Sequence, residues 1–206
     1  MAELLVKGGW VMYVILACSV VAVAVIIERA VVFLRIRNDD DELVRTVEEA
    51  VRGGSLEGAL AACRRARGPV SQVLESCLVE WPAGHERMVD AANYVGNRAV
   101  EALDKRLRGL SIIAQSTPLL GLLGTVLGMI KTFMRIEELG GEVNASALAG
   151  GIWEALLTTA FGLAVAIPCV FMYHWFEARV AHYASLIRDS AERLVALRKG
   201  ASEWSR

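Results

Sequence analysis

Residues 155–176 contain no Asp, Glu, Lys or Arg. A helix of this length, rising about 1.5 Å per residue, spans the roughly 30 Å hydrocarbon core of a membrane. Two further runs, residues 8–27 and 109–130, are equally free of charge. The chain is 55% hydrophobic with a formal net charge of −1, so it has no basic excess for binding nucleic acid. We therefore predict an all-α, polytopic membrane protein with three transmembrane helices in the lipid bilayer.

The charged residues predict how the chain is oriented. Residues 29–108 and the tail after Glu177 are rich in Arg, whereas the loop after the second run carries only acids beyond its rim. The positive-inside rule then places the N-terminus in the periplasm and the C-terminus in the cytoplasm. The predicted segments are a periplasmic N-terminus (1–9), transmembrane helices (10–36, 109–136 and 148–178), a cytoplasmic helical domain (37–108), a periplasmic loop (137–147) and a cytoplasmic C-terminal helix (179–206).

The long helices are predicted to extend from the membrane into the cytoplasmic domain. Apolar residues recur at helical spacing through residues 43–78, and glycine-containing turns divide this stretch into several helices. No glycine lies between Asn97 and Arg108. We therefore expect the helix that begins near Glu86 to continue unbroken into the second transmembrane helix.

Small residues recur on one face of the second and third runs. Such residues allow neighbouring backbones to approach closely, which simple lipid anchors do not need. The pattern predicts that these helices pack on each other or around an axis. The second-run positions are Gly121, Thr125, Gly128 and Thr132, with Gly124 as an additional small residue, and the third-run positions are Gly151, Ala155, Thr158, Gly162, Ala166 and Cys169.

Glu154 lies at the edge of the third run and is the main candidate for a functional acid. An ionised carboxylate at the centre of a transmembrane helix costs about 2.5–3.5 kcal/mol, so we expect Glu154 to face protein or a water-filled cavity near Thr125 or Thr158. The alternative is an interfacial acid at the outer end of the helix. The threonine hydroxyls have an alternative too, which is to bond back to a carbonyl of their own helix.

Other kinds of site are not indicated. The four cysteines lack metal-ligand spacing and are expected to be reduced structural thiols, and His85, His174 and His182 form no cluster with acids or thiols. The glycines before Lys131 do not match a phosphate-binding loop, because none directly precedes the lysine. We expect no metal, no cofactor and no enzymatic activity.

Two motifs resemble a known family. Residues 117–130, TPLLGLLGTVLGMI, are similar to the second-span signature of the MotA/TolQ/ExbB proton-channel family. Residues 154–163, EALLTTAFGL, followed by Ala166-Ile167-Pro168, resemble its third-span signature, and Ile27-Glu28-Arg29 resembles the family pattern after the first span. The prolines of these motifs, Pro118 and Pro168, join the glycines as predicted packing residues. The amino-acid sequence of the second-span motif favours an ExbB-like member of the family.

The resemblance implies an inner-membrane subunit that forms a homopentamer around the single transmembrane helices of an ExbD- or TolR-like partner, which carries the proton-accepting aspartate. A TonB-like protein would be a further partner. Thr125 and Thr159 match the family threonines that line the ring interior, and Glu154 matches its third-span glutamate; Thr158 is grouped with these residues. Because Glu154 and Thr159 point roughly 140° apart, we expect that they do not both face the axis. A TolQ-like subunit of a Tol-Pal system and a non-conducting membrane scaffold stay open as alternatives.

Overall fold

The protein is helical throughout the residues that its computed structural model describes, which are 9–36, 40–138 and 145–203. Within these ranges there is no strand, and α1, α6 and α7 include stretches long and apolar enough to cross a membrane. The predicted fold class is therefore confirmed. The helices are α1 (Gly9–Arg35), α2 (Asp40–Arg52), α3 (Leu56–Arg65), α4 (Pro69–Val79), α5 (His85–Asp104), α6 (Leu107–Glu138) and α7 (Ala145–Glu203), with a 3-10 helix at Trp81–Ala83.

The chain divides into two compact units. The first comprises Met1–Arg29 and Arg106–Phe176, and the second comprises Ala30–Lys105 and Glu177–Arg206. Residues 1–8 of the predicted periplasmic N-terminus and most of the predicted periplasmic loop lie outside the described residues. The predicted domain boundaries therefore stay predictions.

The first unit contains the three long apolar stretches and leaves most of their surface uncovered. Only 22–28% of the most apolar 18-residue stretch of each helix is buried inside the chain. On α1 the buried apolar positions lie within about 100° of one another around the helix, which marks one packed face. Uncovered apolar surface on this scale suits a helix that faces lipid or other subunits. The buried apolar positions of α1 in this unit are Val11, Met12, Ile15 and Ala22.

The second unit has a hydrophobic core of its own. Helices α2 to α5 supply most of this core, and the last part of α7 adds Ile187, Ala191 and Leu194. Where α7 passes α5, an added Cβ at Gly96 would lie 3.1 Å from Cγ2 of Ile187. Nearer its end, α7 is attached by Arg198, whose Nε donates to the carbonyl oxygen of Trp81 at 3.0 Å.

Two of the four cysteines lie inside this second core. Burial raises the pKa of the Cys63 thiol to about 12, and the nearby Glu75 carboxylate adds to the shift. Burial likewise raises the pKa of the Cys77 thiol to about 11. Both groups are therefore neutral thiols near pH 7 and act as small apolar side chains in the core.

The expected continuous helix from residue 86 into the second membrane stretch is wrong at one point. Helix α5 ends at Asp104, and its last turn is closed by a hydrogen bond from the Lys105 amide to the Glu101 carbonyl, 3.0 Å long. Arg106 then adopts a left-handed conformation with φ of 71°, and α6 begins at Leu107. The local sequence gave no sign of this break, because Lys and Arg are good helix formers.

Candidate functional site

Helices α6 and α7 contact each other backbone to backbone. An added Cβ at Gly162 would lie 2.7 Å from the carbonyl oxygen of Thr117 and 3.1 Å from the Cα of Gly121. At Gly121, an added Cβ would lie 3.0 Å from the Thr158 carbonyl oxygen and 3.0 Å from the Thr159 Cα. Any larger residue at either position would force the two backbones apart, so this close approach requires glycine.

The same contact continues towards the beginning of α7. An added Cβ at Gly128 would lie 2.8 Å from the Cβ of Ala155. One turn further along, an added Cβ at Gly151 would lie 3.0 Å from Cγ2 of Thr132. Residue numbers rise along α6 as they fall along α7, so the two helices run antiparallel. The small residues of both motifs therefore meet within a single chain.

Two threonines of α7 bind one carbonyl of α6. The hydroxyls of Thr158 and Thr159 both donate to the Gly121 carbonyl oxygen, at 3.2 and 3.0 Å. The single hydroxyl hydrogen of Thr158 is shared with the Ala155 carbonyl oxygen, which is nearer at 2.7 Å. The Thr158 side chain also fills the space beside Gly124, where an added Cβ would lie 2.6 Å from the Thr158 Cβ. Hydrogen bonds between transmembrane helices contribute about 0.6 kcal/mol each. The two hydroxyls therefore reinforce a contact made mainly by packing.

The threonines of α6 bond within their own helix. Their hydroxyls donate to carbonyls three or four residues earlier, which is the alternative role expected for a membrane threonine. Thr125 is half-buried, and its hydroxyl is satisfied in this way without help from α7. The bonds run from Thr125 to Leu122 at 2.7 Å, from Thr132 to Gly128 at 2.9 Å and from Thr117 to Ile113.

Thr125 and Thr159 lie on the same side of the α6–α7 contact. Thr125 follows the contact residue Gly121 by four positions, and Thr159 follows the contact residue Ala155 by four positions. Four positions along a helix correspond to a rotation of about 40°, in the same sense for both residues. Because the helices are antiparallel, the same sense of rotation brings both residues to one side. Residues further round in this sense, such as Leu122, are exposed. We call this the open side of the contact.

Glu154 lies on the opposite side. It precedes Ala155 by one residue, so it is rotated from Ala155 by about 100° in the other sense. Glu154 is half-buried. Apart from α6 and α7, the described part of this unit consists mainly of residues 9–29 of α1, and we infer that α1 covers this side. We call it the α1 side. The half-buried positions that share it are Leu157, Phe161 and Val165 on α7 and Ile113, Leu120 and Leu127 on α6.

The candidate residues therefore separate into three groups. Thr158 lies inside the contact, Thr125 and Thr159 lie on the open side, and Glu154 lies on the α1 side, one helical turn before Thr158. The structure does not bring Glu154 together with Thr125 within one chain. Among the described residues, no three His, Cys, Asp or Glu side chains gather in a way that could hold a metal ion.

Each membrane motif contains a proline inside its helix. Pro118 in α6 and Pro168 in α7 have no amide hydrogen, so neither can bond to the carbonyl four residues earlier in its helix. Thr117, directly before Pro118, is fully buried against Gly162. Sequence reasoning missed the contact role of Thr117, although a hydroxyl beside a proline in an apolar run was a visible signal.

These features define a class: an all-α, multi-pass membrane protein in which two of the three apolar helices are joined by a glycine-lined contact. A model of the MotA/TolQ/ExbB proton channel family matches residues 67–189, which include all of α4, α5 and α6 and most of α7. The chain belongs to this family and is most like its ExbB members.

Individual relatives agree with this assignment. An ExbB homolog from Methanothermobacter thermautotrophicus is 31% identical over 180 residues, which cover 86% of this chain and 63% of the relative. ExbB-like 3 from Synechocystis is 34% identical over 194 residues, 91% of this chain and 90% of the relative. The chain thus spans less than two thirds of the first relative but nearly the full length of the second.

A third relative belongs to another branch. The Tol-Pal system protein TolQ from Haemophilus influenzae is 39% identical over 90 residues, 44% of this chain and 39% of the relative. Membership of the family makes the protein a proton-channel-type subunit of an energy-transducing system, with multiple spans in the inner membrane.

Proposed function

We propose that this subunit, with an ExbD-like single-span partner, couples the proton motive force to a TonB-like protein that energises outer-membrane transport. The observation that carries the proposal is the α6–α7 contact. Apart from Gly151 and Thr132, its glycines and threonines are residues of the two family motifs, and they create a side that carries Thr125 and Thr159. The ExbB names of the relatives support this branch of the family.

In this proposal the subunits form a homopentamer, and the open side of each α6–α7 pair faces the axis of the ring. The partner's single helix then passes Thr125 and Thr159. Two features support this arrangement: both hydroxyl residues lie on one side, and exposed apolar residues continue that side instead of charged ones. Glu154 acts on the same proton pathway from the α1 side, which is the opposite side of the α6–α7 contact.

We propose a periplasmic N-terminus and a cytoplasmic C-terminus. The second unit, with its own core and a surface dense in charge, then lies in the cytoplasm. Single introduced cysteines test this orientation in intact cells. A cysteine at Glu57 is expected to resist a membrane-impermeant thiol reagent and one at Glu142 to react; the reverse pattern would overturn the proposed orientation.

The test of function is complementation of a strain that lacks its own copy of the gene. Glu154→Ala is expected to insert and assemble normally but to abolish transport that depends on the proton motive force, because the carboxyl group is lost. Glu154→Asp, which keeps the group but shortens its reach, should retain part of the activity. The matched control is Glu138→Ala, which removes an exposed acid from the end of α6. Full transport with Glu154→Ala would reduce this residue to an interfacial acid.

The second candidate is a TolQ-like subunit of a Tol-Pal envelope system, which the Haemophilus influenzae relative favours. An envelope-integrity assay in the same strain separates the two branches. Restored integrity without restored outer-membrane transport would support the TolQ-like role. A scaffold that conducts no ions would predict that every Glu154 variant behaves as wild type in both assays.

A further inference from the structure

An ion pair joins α1 to the break between α5 and α6. The Glu28 carboxylate accepts from both sides: one oxygen from Arg29 Nη2 at 3.0 Å and the other from Arg106 Nη1. Arg29 is almost completely buried, which fixes the position of the carboxylate on α1. Arg106, 78 positions away in sequence, is the residue with the left-handed backbone.

The local sequence favours the opposite conformation. Residues 97–108 contain neither glycine nor proline, and a left-handed backbone at a residue with a side chain costs free energy. In the described residues, Arg106 is the only non-glycine residue with positive φ. A continuous helix would remove this strain and give partners to the amides of the first turn of α6, which a helix that begins at Leu107 cannot pair within itself.

A contact from outside the segment must therefore hold the break open. The Glu28–Arg106 ion pair is such a contact, because it joins the strained residue to another helix. Glu28 directly follows the uncharged run of residues 8–27, so it lies at the edge of the membrane. The side chains of Arg106 and Glu28 are 54% and 35% exposed, so the strength of the pair depends on the ionic strength of the solution.

We propose that the Glu28–Arg106 ion pair is a lock that holds the helix break at residues 105–106, and that α5 and α6 join into one helix at this point when the pair is lost. Glu28 and Arg106 are then positioning residues that determine where α6 begins. The lock adds to the proposed function a pair of charges, remote from Glu154, on which activity depends.

Hydrogen exchange of the full chain in lipid nanodiscs tests the lock, with mass spectrometry of peptides that cover residues 103–111. In wild type, the amides of residues 106–109 should exchange quickly. Glu28→Gln removes the anion with little change in shape, and Arg106→Gln removes the cation. Each should slow this exchange by roughly tenfold as the strain at Arg106 is relieved. Arg106→Lys keeps the cation and should behave as wild type.

Two further variants separate the charge from the backbone. Arg106→Gly removes the charge but tolerates the left-handed conformation, so the amides should stay fast. Arg108→Gln removes a neighbouring exposed charge and should change nothing. Wild-type exchange in both Glu28→Gln and Arg106→Gln would overturn the proposal. If Glu28→Gln fails to fold, equal exchange in Arg106→Gln and Arg106→Lys would overturn it by itself.

The lock also has a functional readout that distinguishes it from the proposed function. Arg106→Lys should retain transport and Arg106→Gln should lose it, while both insert and assemble. Loss of transport with Glu154→Ala, but exchange at 106–109 that is insensitive to Glu28→Gln, would leave the proposed function standing and contradict the lock. Exchange at 106–109 that is slowed by Glu28→Gln, together with full transport by Glu154→Ala, would support the lock and contradict the proposed function.

Discussion

The Gly162→Ala substitution measures how strongly α6 and α7 depend on backbone contact. The added methyl group would lie 2.7 Å from the Thr117 carbonyl oxygen and 3.1 Å from the Gly121 Cα. Both atoms belong to the α6 backbone, so no side chain can rotate away to make room. Overpacking of a tight core costs about 1–3 kcal/mol, and a backbone neighbour favours the upper half of that range.

Helix propensity works in the opposite direction. Replacing Gly with Ala inside a helix stabilises the helix by about 1 kcal/mol, so the net loss for Gly162→Ala is about 1–2 kcal/mol. Gly150→Ala, on the same helix, has no atom within 4 Å of the added Cβ and gains only the propensity term. The difference between the two variants is therefore the packing cost itself, about 2–3 kcal/mol.

The assay is reversible unfolding of the full chain in mixed micelles by titration with a denaturing detergent. Gly121→Ala and Gly109→Ala provide a second matched pair on α6, because Gly109 also has nothing within 4 Å. We expect a large difference in the free energy of unfolding within each pair. Differences below about 0.5 kcal/mol in both pairs, the usual scatter of such measurements, would refute the backbone contact.

Two further predictions concern hydroxyl and thiol groups. Thr158→Val and Thr159→Val should each destabilise the contact by about 0.6 kcal/mol, because each removes a donor to the Gly121 carbonyl, whereas Thr125→Val should cost less in the same unfolding assay; an equal loss at Thr125 would contradict the assigned partners. The pKa of Cys63 is raised in the folded state from 9.0 to about 12, so folding keeps the thiol protonated and stability should fall as pH rises from 9 towards 12. Unfolding measured between pH 8 and 10.5 should show a shallower fall in Cys63→Ala, and an unchanged slope would contradict the burial of this thiol.

The fold class could be predicted because it depends on local patterns. Three uncharged runs of membrane length predict three apolar helices, because the number of residues and the absence of charge are enough. The stripe of small residues from Gly151 to Gly162 predicted a close helix contact, since spacing along one helix determines which residues share a face. The contact partners on α6, such as Gly128, followed from the same reasoning.

The sides of the contact were harder to predict. Thr125 shares the stripe of Gly121 and Gly128 in sequence, but residues four apart drift by about 40° around a helix. That drift moves Thr125 from the contact to its edge, where its hydroxyl bonds to Leu122. The position of Glu154 on the α1 side depends on where α1 packs, which no pattern within α7 contains.

The helix break at Arg106 had no local signal at all. Its sequence neighbours favour a continuous helix, and its ion-pair partner, Glu28, lies on another helix. The same limit applies to the core of the second unit, where Leu194 joins residues more than a hundred positions earlier. Helical periodicity identifies the apolar face of each segment, but it does not say which faces meet.

Cysteine cross-linking between the chain and its single-span partner tests the central claim most directly. With one cysteine in the membrane helix of the co-expressed partner, Thr125→Cys and Thr159→Cys should each form a disulfide with it, because both lie on the open side. Trp153→Cys, on the exposed back of α7, should not. Cross-links at Trp153 with none at Thr125 or Thr159 would contradict a pathway lined by the open side of the α6–α7 contact.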